Sequence, residues 1–245
     1  MQPRTQEQTD ISLASAALEL VWPTRCCGCE RAGKVLCDSC AAALNYTNQE
    51  HSCPRCGAPF GSLVCTECYT REGKTTHIFS LATCTVSLDE LAGRIIVLYK
   101  DNNERRLASV LAVLILEALP IPWLSWTDLI TWIPVDRKVL RQRGFDHMKP
   151  IATELARLTG IPAKGLLRKK SRKDQRRLGR QERLDNLKES FSISEESGLQ
   201  TVSLPPHVLL IDDVLTTGAT LDAAALKLKE SGVQEVRVAS FARTW

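Results

Sequence analysis

The chain has 245 residues, 44% hydrophobic and 24% charged, with 32 Lys+Arg against 28 Asp+Glu and a formal net charge of +4. These values exclude a disordered chain, a fibre and a membrane bundle, and they leave room for one ordinary domain plus a small module.

Residues 1–10 mix Arg4 with Glu7 and Asp10, and no apolar stretch with a small-residue cleavage site follows; this reads as a cytoplasmic chain. Ile11, Leu13, Ala14, Ala17, Leu18 and Val21 recur at helical spacing, so residues 1–24 are expected to carry an N-terminal helix.

All ten cysteines lie between Cys26 and Cys84. Cys26-x2-Cys29 is followed by Cys37-x2-Cys40, and Cys53-x2-Cys56 by Cys65-x2-Cys68, so one unit is written twice. Each C-x2-C knuckle aims two thiolates at one point, and two knuckles complete a tetrahedral shell that suits Zn²⁺. Residues 25–72 are therefore expected to form a double zinc ribbon holding two structural zinc ions. The repeat favours sequential pairing; a cross-braced arrangement is the alternative. Four thiolates leave no open position for water, so the role is folding rather than catalysis. Cys27 and Cys84 stand outside the repeat.

From Thr75 the pattern alternates. His77–Val86 reads as a strand, Leu88–Tyr99 and Arg105–Leu119 as helices, Leu129–Ile133 as a strand and Met148–Leu158 as a helix. Leu166–Leu167 marks a short strand. His207–Ile211 is a strongly apolar strand, Leu221–Ser231 a helix and Glu235–Ala242 a final strand. Leu107–Leu119 is too short to cross a bilayer and Glu117 interrupts it, so it reads as a core helix and no membrane span is expected. Strands separated by helices predict an α/β fold over 75–245, a doubly wound and mostly parallel sheet, with the small zinc module before it.

The chemistry is expected where the apolar strand ends. Val208–Ile211 runs into Asp212 and Asp213, then Val214-Leu215-Thr216-Thr217-Gly218-Ala219-Thr220 opens a helix. Such a loop offers consecutive N–H groups, hydroxyls and the positive end of a helix, which together cradle a phosphate. The two acids upstream can accept hydrogen bonds from sugar hydroxyls and help place Mg²⁺.

This stretch resembles the phosphoribosyl-diphosphate motif of type I phosphoribosyltransferases. With the cysteine repeat and the segment Arg141-Gln142-Arg143-Gly144-Phe145, the chain from Cys26 to Arg243 resembles the ComF family, phosphoribosyltransferase-like proteins tied to competence and DNA uptake. The resemblance implies that Thr216, Thr217, Gly218, Ala219 and Thr220 hold a ribose 5-phosphate. It implies that Asp212 and Asp213 face the ribose hydroxyls and that Lys100 belongs to a Lys-containing segment of the site. Val135 and Arg137 stand where the diphosphate loop should be. The sequence departs from the family at Asp136, where a second proline is usual, and at His147, where Gln is usual. His147 reads as a polar surface residue.

Charge gathers at Arg137–Lys149 and in Arg168–Arg183, which holds nine basic and two acidic residues. With only 5% aromatic residues, contact through a nucleic-acid backbone is expected over base reading. Arg141, Arg143, Arg172, Lys173, Arg176 and Arg177 are the candidates for single-stranded DNA. The function expected is that of a phosphoribosyltransferase-like protein. It would bind phosphoribosyl diphosphate with Mg²⁺, and single-stranded DNA, in DNA uptake (natural transformation) or DNA utilization, with an uptake helicase as a partner. The alternatives are a phosphoribosyltransferase of nucleotide salvage and a non-catalytic nucleic-acid-binding adaptor.

Overall fold

The computed structural model of the chain describes residues 23–69, 77–169, 190–194 and 204–245. The helix expected in 1–24, and Arg172, Lys173, Arg176 and Arg177 of the basic stretch, lie outside the described residues. The chain divides into two units, Met1–Ala43 and Leu44–Trp245. The boundary falls between the two cysteine quartets, so the second quartet shares its unit with the strands and helices that follow.

In the smaller unit the described residues form a knuckle, closed by Cys26 N–H donating to the Arg31 carbonyl at 2.8 Å, and the short helix α1 (Asp38–Ala42). Besides its cysteines, this segment buries Leu36 and little else that is apolar. Metal must supply most of its folding energy.

The larger unit is built on a four-stranded, all-parallel sheet of β1 (Leu81–Ser87), β2 (Leu129–Trp132), β5 (His207–Leu215) and β6 (Glu235–Arg243), in the order β1-β6-β5-β2. Val208–Ile211 are all buried, as an inner parallel strand covered on both faces requires. One face packs under α7 (Ala219–Glu230), where Leu221, Ala224 and Leu228 meet Ala82, Leu210 and Val238. On the other face the hydroxyls of Thr83 and Thr85 donate to the Ala118 and Leu114 carbonyls of α3 (Leu107–Ala118). Beside α3 lies α6 (Met148–Thr159), which buries Met148, Ile151, Ala152 and Leu155 at helical spacing. Helix α2 (Glu90–Lys100) starts on Asp89, whose carboxylate accepts from Ala92 N–H at 2.9 Å, and it delivers Lys100 at its last turn. A separate antiparallel pair, β3 (Leu167–Lys169) and β4 (Phe191–Ile193), brackets the basic stretch.

Like α1, two α-helices of the larger unit were not expected from the sequence. The first, α4 (Ile121–Trp126), starts after Pro120 with a proline in its first turn. The second, α5 (Arg137–Arg143), is capped by Asp136, whose side chain accepts from Lys138 N–H at 2.7 Å, and it ends at Gly144 with φ 77°. Asp136, the departure from the family pattern, is thus a helix cap.

Candidate functional site

The structure gathers Cys26, Cys29, Cys37 and Cys40 in one cluster and Cys53, Cys56, Cys65 and Cys68 in another, each with its four sulfurs within 4.8 Å of one another. Pairing is sequential, not cross-braced. Tetrahedral geometry with Zn–S near 2.3 Å requires sulfur–sulfur edges of about 3.8 Å. The observed Cys29–Cys37 and Cys56–Cys65 separations are 3.7 and 3.6 Å. Backbone N–H groups of Gly28 and Cys37 point at Cys26 Sγ, and that of Cys65 at Cys53 Sγ, the donors a thiolate needs. Burial raises the Cys26 and Cys53 thiols, but these amides outweigh it and hold them down at about 6 and about 7. The residues fit two structural zinc ions.

The second region lies at the carboxyl edge of the sheet. Because β2 pairs with β5, the Pro134–Val135 loop emerges beside Asp212 and Asp213. Val135 is half-buried and Arg137, at the start of α5, is exposed. Asp213 is buried; its Oδ1 accepts from Val214 N–H at 2.7 Å, and its Oδ2 is paired with Lys100 Nζ and lies 3.1 Å from His147 Nε2. Asp212 Oδ1 accepts from Asp213 N–H at 3.0 Å. Burial pushes the Asp212 carboxyl up to about 7 against the opposing pull of Lys100 and Lys169. Burial also lowers the Lys100 ammonium from its ordinary value, with the charge of Asp212 working the other way. Past Leu215, Thr216, Thr217 and Thr220 are exposed, Ala219 is half-buried, and Gly218 turns left-handed at φ 77° to start α7. Thr217 Oγ1 accepts from Ala219 N–H at 3.4 Å.

The structure thus brings together Lys100, Asp212, Asp213 and the Thr216–Thr220 loop. Arg143 is near enough to disfavour a charge on His147, and is itself paired with Asp101 at 2.9 Å. Arg141 is exposed on α5.

Several residues of the region escaped the sequence reading. His147 is not a surface residue: it is 7% exposed, its backbone carbonyl accepts from the Tyr99 hydroxyl, and burial with Lys100, Arg143 and Lys169 pushes its imidazole down to about 3. Asp146 accepts from the Trp132 indole at 2.9 Å, and burial raises its carboxyl. His77 and Asp222 brace the Thr216–Thr220 loop: their side chains meet at 2.8 Å, and a Cβ on Gly218 would stand 2.7 Å from the His77 ring. That contact, with the positive φ, explains why only glycine fits at 218. Helical spacing put Asp222 one turn beyond Gly218; nothing in the sequence linked it to His77.

Comparison with known proteins finds matches to both regions. A family described as "Double zinc ribbon domain" matches residues 17–69, and one described as "Phosphoribosyl transferase domain" matches residues 143–244. The chain is 28% identical to the DNA utilization protein YhgH of Salmonella typhi, over 85% of this chain and 90% of that one. It is 27% identical to the competence protein ComFC of Streptococcus pneumoniae, covering 85% and 87%. It is 26% identical to the competence protein F of Haemophilus influenzae, covering 89% and 90%. Among the described residues no helix is long and apolar enough to cross a membrane. With a double zinc ribbon domain before a phosphoribosyl transferase domain, and similarity to these DNA utilization and competence proteins across both, the chain resembles the ComF family over most of its length.

Proposed function

We propose that the protein binds phosphoribosyl diphosphate with Mg²⁺ in the cleft above β5, and single-stranded DNA along its basic stretch. It would serve DNA uptake or DNA utilization, as the names of its relatives suggest, and would act in the cytoplasm. One observation carries this reading: two adjacent acids at the carboxyl end of an inner parallel strand, one held by a lysine, followed by a threonine-rich loop and a left-handed glycine at a helix start. In this reading Thr216–Thr220 hold the 5-phosphate and Asp212 and Asp213 accept from the ribose hydroxyls. Lys100, Val135 and Arg137 face the diphosphate. Among the described residues no three carboxylate or imidazole groups lie within ligand distance of one another. Mg²⁺ therefore fits as an ion held mainly by the ligand's own oxygens, its ordinary habit, with Asp212 as the available carboxylate. A helicase of the uptake machinery is the partner proposed for the ribbons.

Calorimetry tests the cleft. Phosphoribosyl diphosphate with Mg²⁺ is expected to bind the wild type, and Asp213→Ala and Thr217→Ala are each expected to weaken it; no heat with either phosphoribosyl diphosphate or ribose 5-phosphate would sink the reading. For DNA, neutralising about four phosphates predicts a slope of log affinity against log salt of roughly −3. Changing Arg172, Lys173, Arg176 and Arg177 to Ala should flatten that slope for all sequences alike.

Transfer of the phosphoribosyl group to an acceptor is a second reading. It is favoured by a cavity of about 540 Å³ lined by Trp132, Pro134, Asp146, Lys149, Lys164 and Leu167, beside the proposed diphosphate loop. Release of diphosphate on adding candidate acceptors distinguishes it from binding alone.

A further inference from the structure

Arg243 ends β6 with only 4% of its surface exposed. Its Nη1 donates to the carbonyl of Thr216, the first residue of the threonine loop, at 3.2 Å. The guanidinium lies over the Trp245 ring at 5.2 Å, and Trp245 meets the ring of Phe60 at 6.0 Å. Phe60 belongs to the segment joining Cys56 to Cys65. The Nε of Arg243 has no hydrogen-bond partner among the described residues. A buried cation with an unpaired donor is costly unless a negative group stands close by.

The second quartet, once filled, is such a group. Four thiolates around one Zn²⁺ carry a net charge of −2, and a guanidinium stays charged at any working pH. The contact of Arg243 with the Trp245 ring, and of that ring with Phe60, sets the guanidinium beside the loop that joins Cys56 to Cys65. The packing is continuous. A Cβ on Gly57, next to Cys56, would stand 2.8 Å from Cys84 Sγ, and the Ser240 hydroxyl donates to that sulfur at 3.2 Å.

We propose that Arg243 is a positioning residue that ties zinc occupancy of the Cys53–Cys56–Cys65–Cys68 site to the conformation of the Thr216–Thr220 loop. The filled site draws the guanidinium toward its negative charge, and the guanidinium holds the Thr216 carbonyl. Removing zinc dissolves the four-thiolate cluster and takes away most of the counter-charge that fixes Arg243. The functional consequence, control of phosphoribosyl binding, rests on the reading of that loop given above; the coupling itself does not. Because coupling is reciprocal, a ligand in the loop must also slow zinc loss from this site.

The test uses the full-length, two-zinc protein as wild type, Arg243→Gln and Arg243→Lys. Zinc release to a chromogenic chelator reports the metal sites, and a Cys29→Ser background, which keeps only the second site, assigns the phases. Hydrogen exchange of amides 216–220 reports the loop, with the amides of α3 as a folding control. Arg243→Gln should release the second zinc about tenfold faster, an ordinary coupling magnitude, and leave the first unchanged. Its loop amides should exchange at one fast rate with or without zinc, whereas in the wild type zinc should slow them. Arg243→Lys keeps the charge but not the two-pronged guanidinium, so it should retain zinc better than it protects the loop. Were Arg243→Gln to lose the α3 control, the lysine variant decides by the same two readouts. Wild-type loop exchange indifferent to zinc, or an Arg243→Gln protein with wild-type zinc release, overturns the proposal. Ribose 5-phosphate should slow zinc release in the wild type and not in Arg243→Gln. If it fails to bind the wild type at all, the ligand reading falls while the zinc and exchange data still judge the coupling.

Discussion

The two cysteine quartets share the same pair of C-x2-C knuckles and the same turn, yet they live in different surroundings. Cys26 N–H to Arg31 and Glu30 N–H to Cys26, both 2.8 Å, match Cys53 N–H to Ala58 at 2.7 Å and Gly57 N–H to Cys53 at 2.8 Å. In the first quartet Cys29 is exposed, and Cys37 and Cys40 are half-buried; in the second all four are buried. The described cations of the smaller unit, Arg25, Arg31 and Lys34, are exposed, whereas the second quartet has the buried Arg243 nearby. The residue after the knuckle is left-handed in both, Glu30 at φ 64° and Gly57 at φ 71°. Ligand spacing therefore writes the coordination shell, and the residues around it decide how deeply each site is buried and what charge faces it.

The sharpest way to break this contrast is to remove one ligand from each site. Structural zinc contributes about 10–16 kcal/mol in small zinc domains, as much as the whole stability of a domain, about 5–15 kcal/mol. Cys56→Ser should lower the melting temperature of the larger unit by about 10 °C or more, or abolish its cooperative transition. Cys29→Ser should shift that transition by no more than about 2 °C. In a Trp22→Phe background, fluorescence of Trp123, Trp126, Trp132 and Trp245, all within Leu44–Trp245, reads the larger unit, and elemental analysis should find about one zinc per chain in Cys29→Ser. Equal melting of the two variants would make the quartets equivalent after all.

A smaller effect sharpens the same point at the knuckle. Gly57→Ala forces a left-handed alanine and drives its Cβ to 2.8 Å from Cys84 Sγ. Backbone strain plus overpacking should cost about 2–4 kcal/mol in denaturant unfolding of the larger unit. Glu30→Gly, at the matching position of the first site, relieves strain but adds chain entropy, and the two nearly cancel to within about 0.5 kcal/mol. Zinc retention by the first site should be unchanged in that variant.

Much of this was written locally. The cysteine pairs, the apolar run Val208–Ile211 and the acids and threonines after it are near-neighbour patterns, and the structure keeps them as the sequence suggests. Helix α5 was legible in principle, since Asp136 and Gly144 are a start and a stop, but its basic residues read as a charged run. Pro122 hid α4, although proline in a first turn is a start signal. His147 and Arg243 could not be found this way. His147 is buried because Tyr99 and Asp213, 48 residues before it and far downstream of it, close over it. Arg243 looks like a polar end to a strand expected to stop at Ala242; its burial depends on residues that only folding brings near. The twin quartets fail for the same reason, since nothing in C-x2-C spacing tells that Cys84 will lie against Gly57.

Protons supply the smallest of these tests, and they act on the larger unit alone. Asp212 is pushed up to about 7 in the fold, above its unfolded value, so between pH 7.5 and 5.5 the native state binds more protons there than the unfolded chain. This contribution raises stability as pH falls. His147 is pushed down to about 3, so over the same window the unfolded chain takes up a proton that the native state refuses, and this contribution lowers stability as pH falls. Each is worth on the order of 1–2 kcal/mol across the window, with opposite signs, so the wild-type unfolding free energy from the two should be nearly flat. Asp212→Asn leaves the histidine uncompensated and should make the unit less stable at pH 5.5 than at 7.5. His147→Gln leaves the aspartate and should reverse that slope. Denaturant titrations followed by tryptophan fluorescence read both. Parallel pH profiles for the two variants would mean that burial of this pair does not govern the cleft. A first-site zinc release that tracked either variant would mean that the smaller unit is not independent of it.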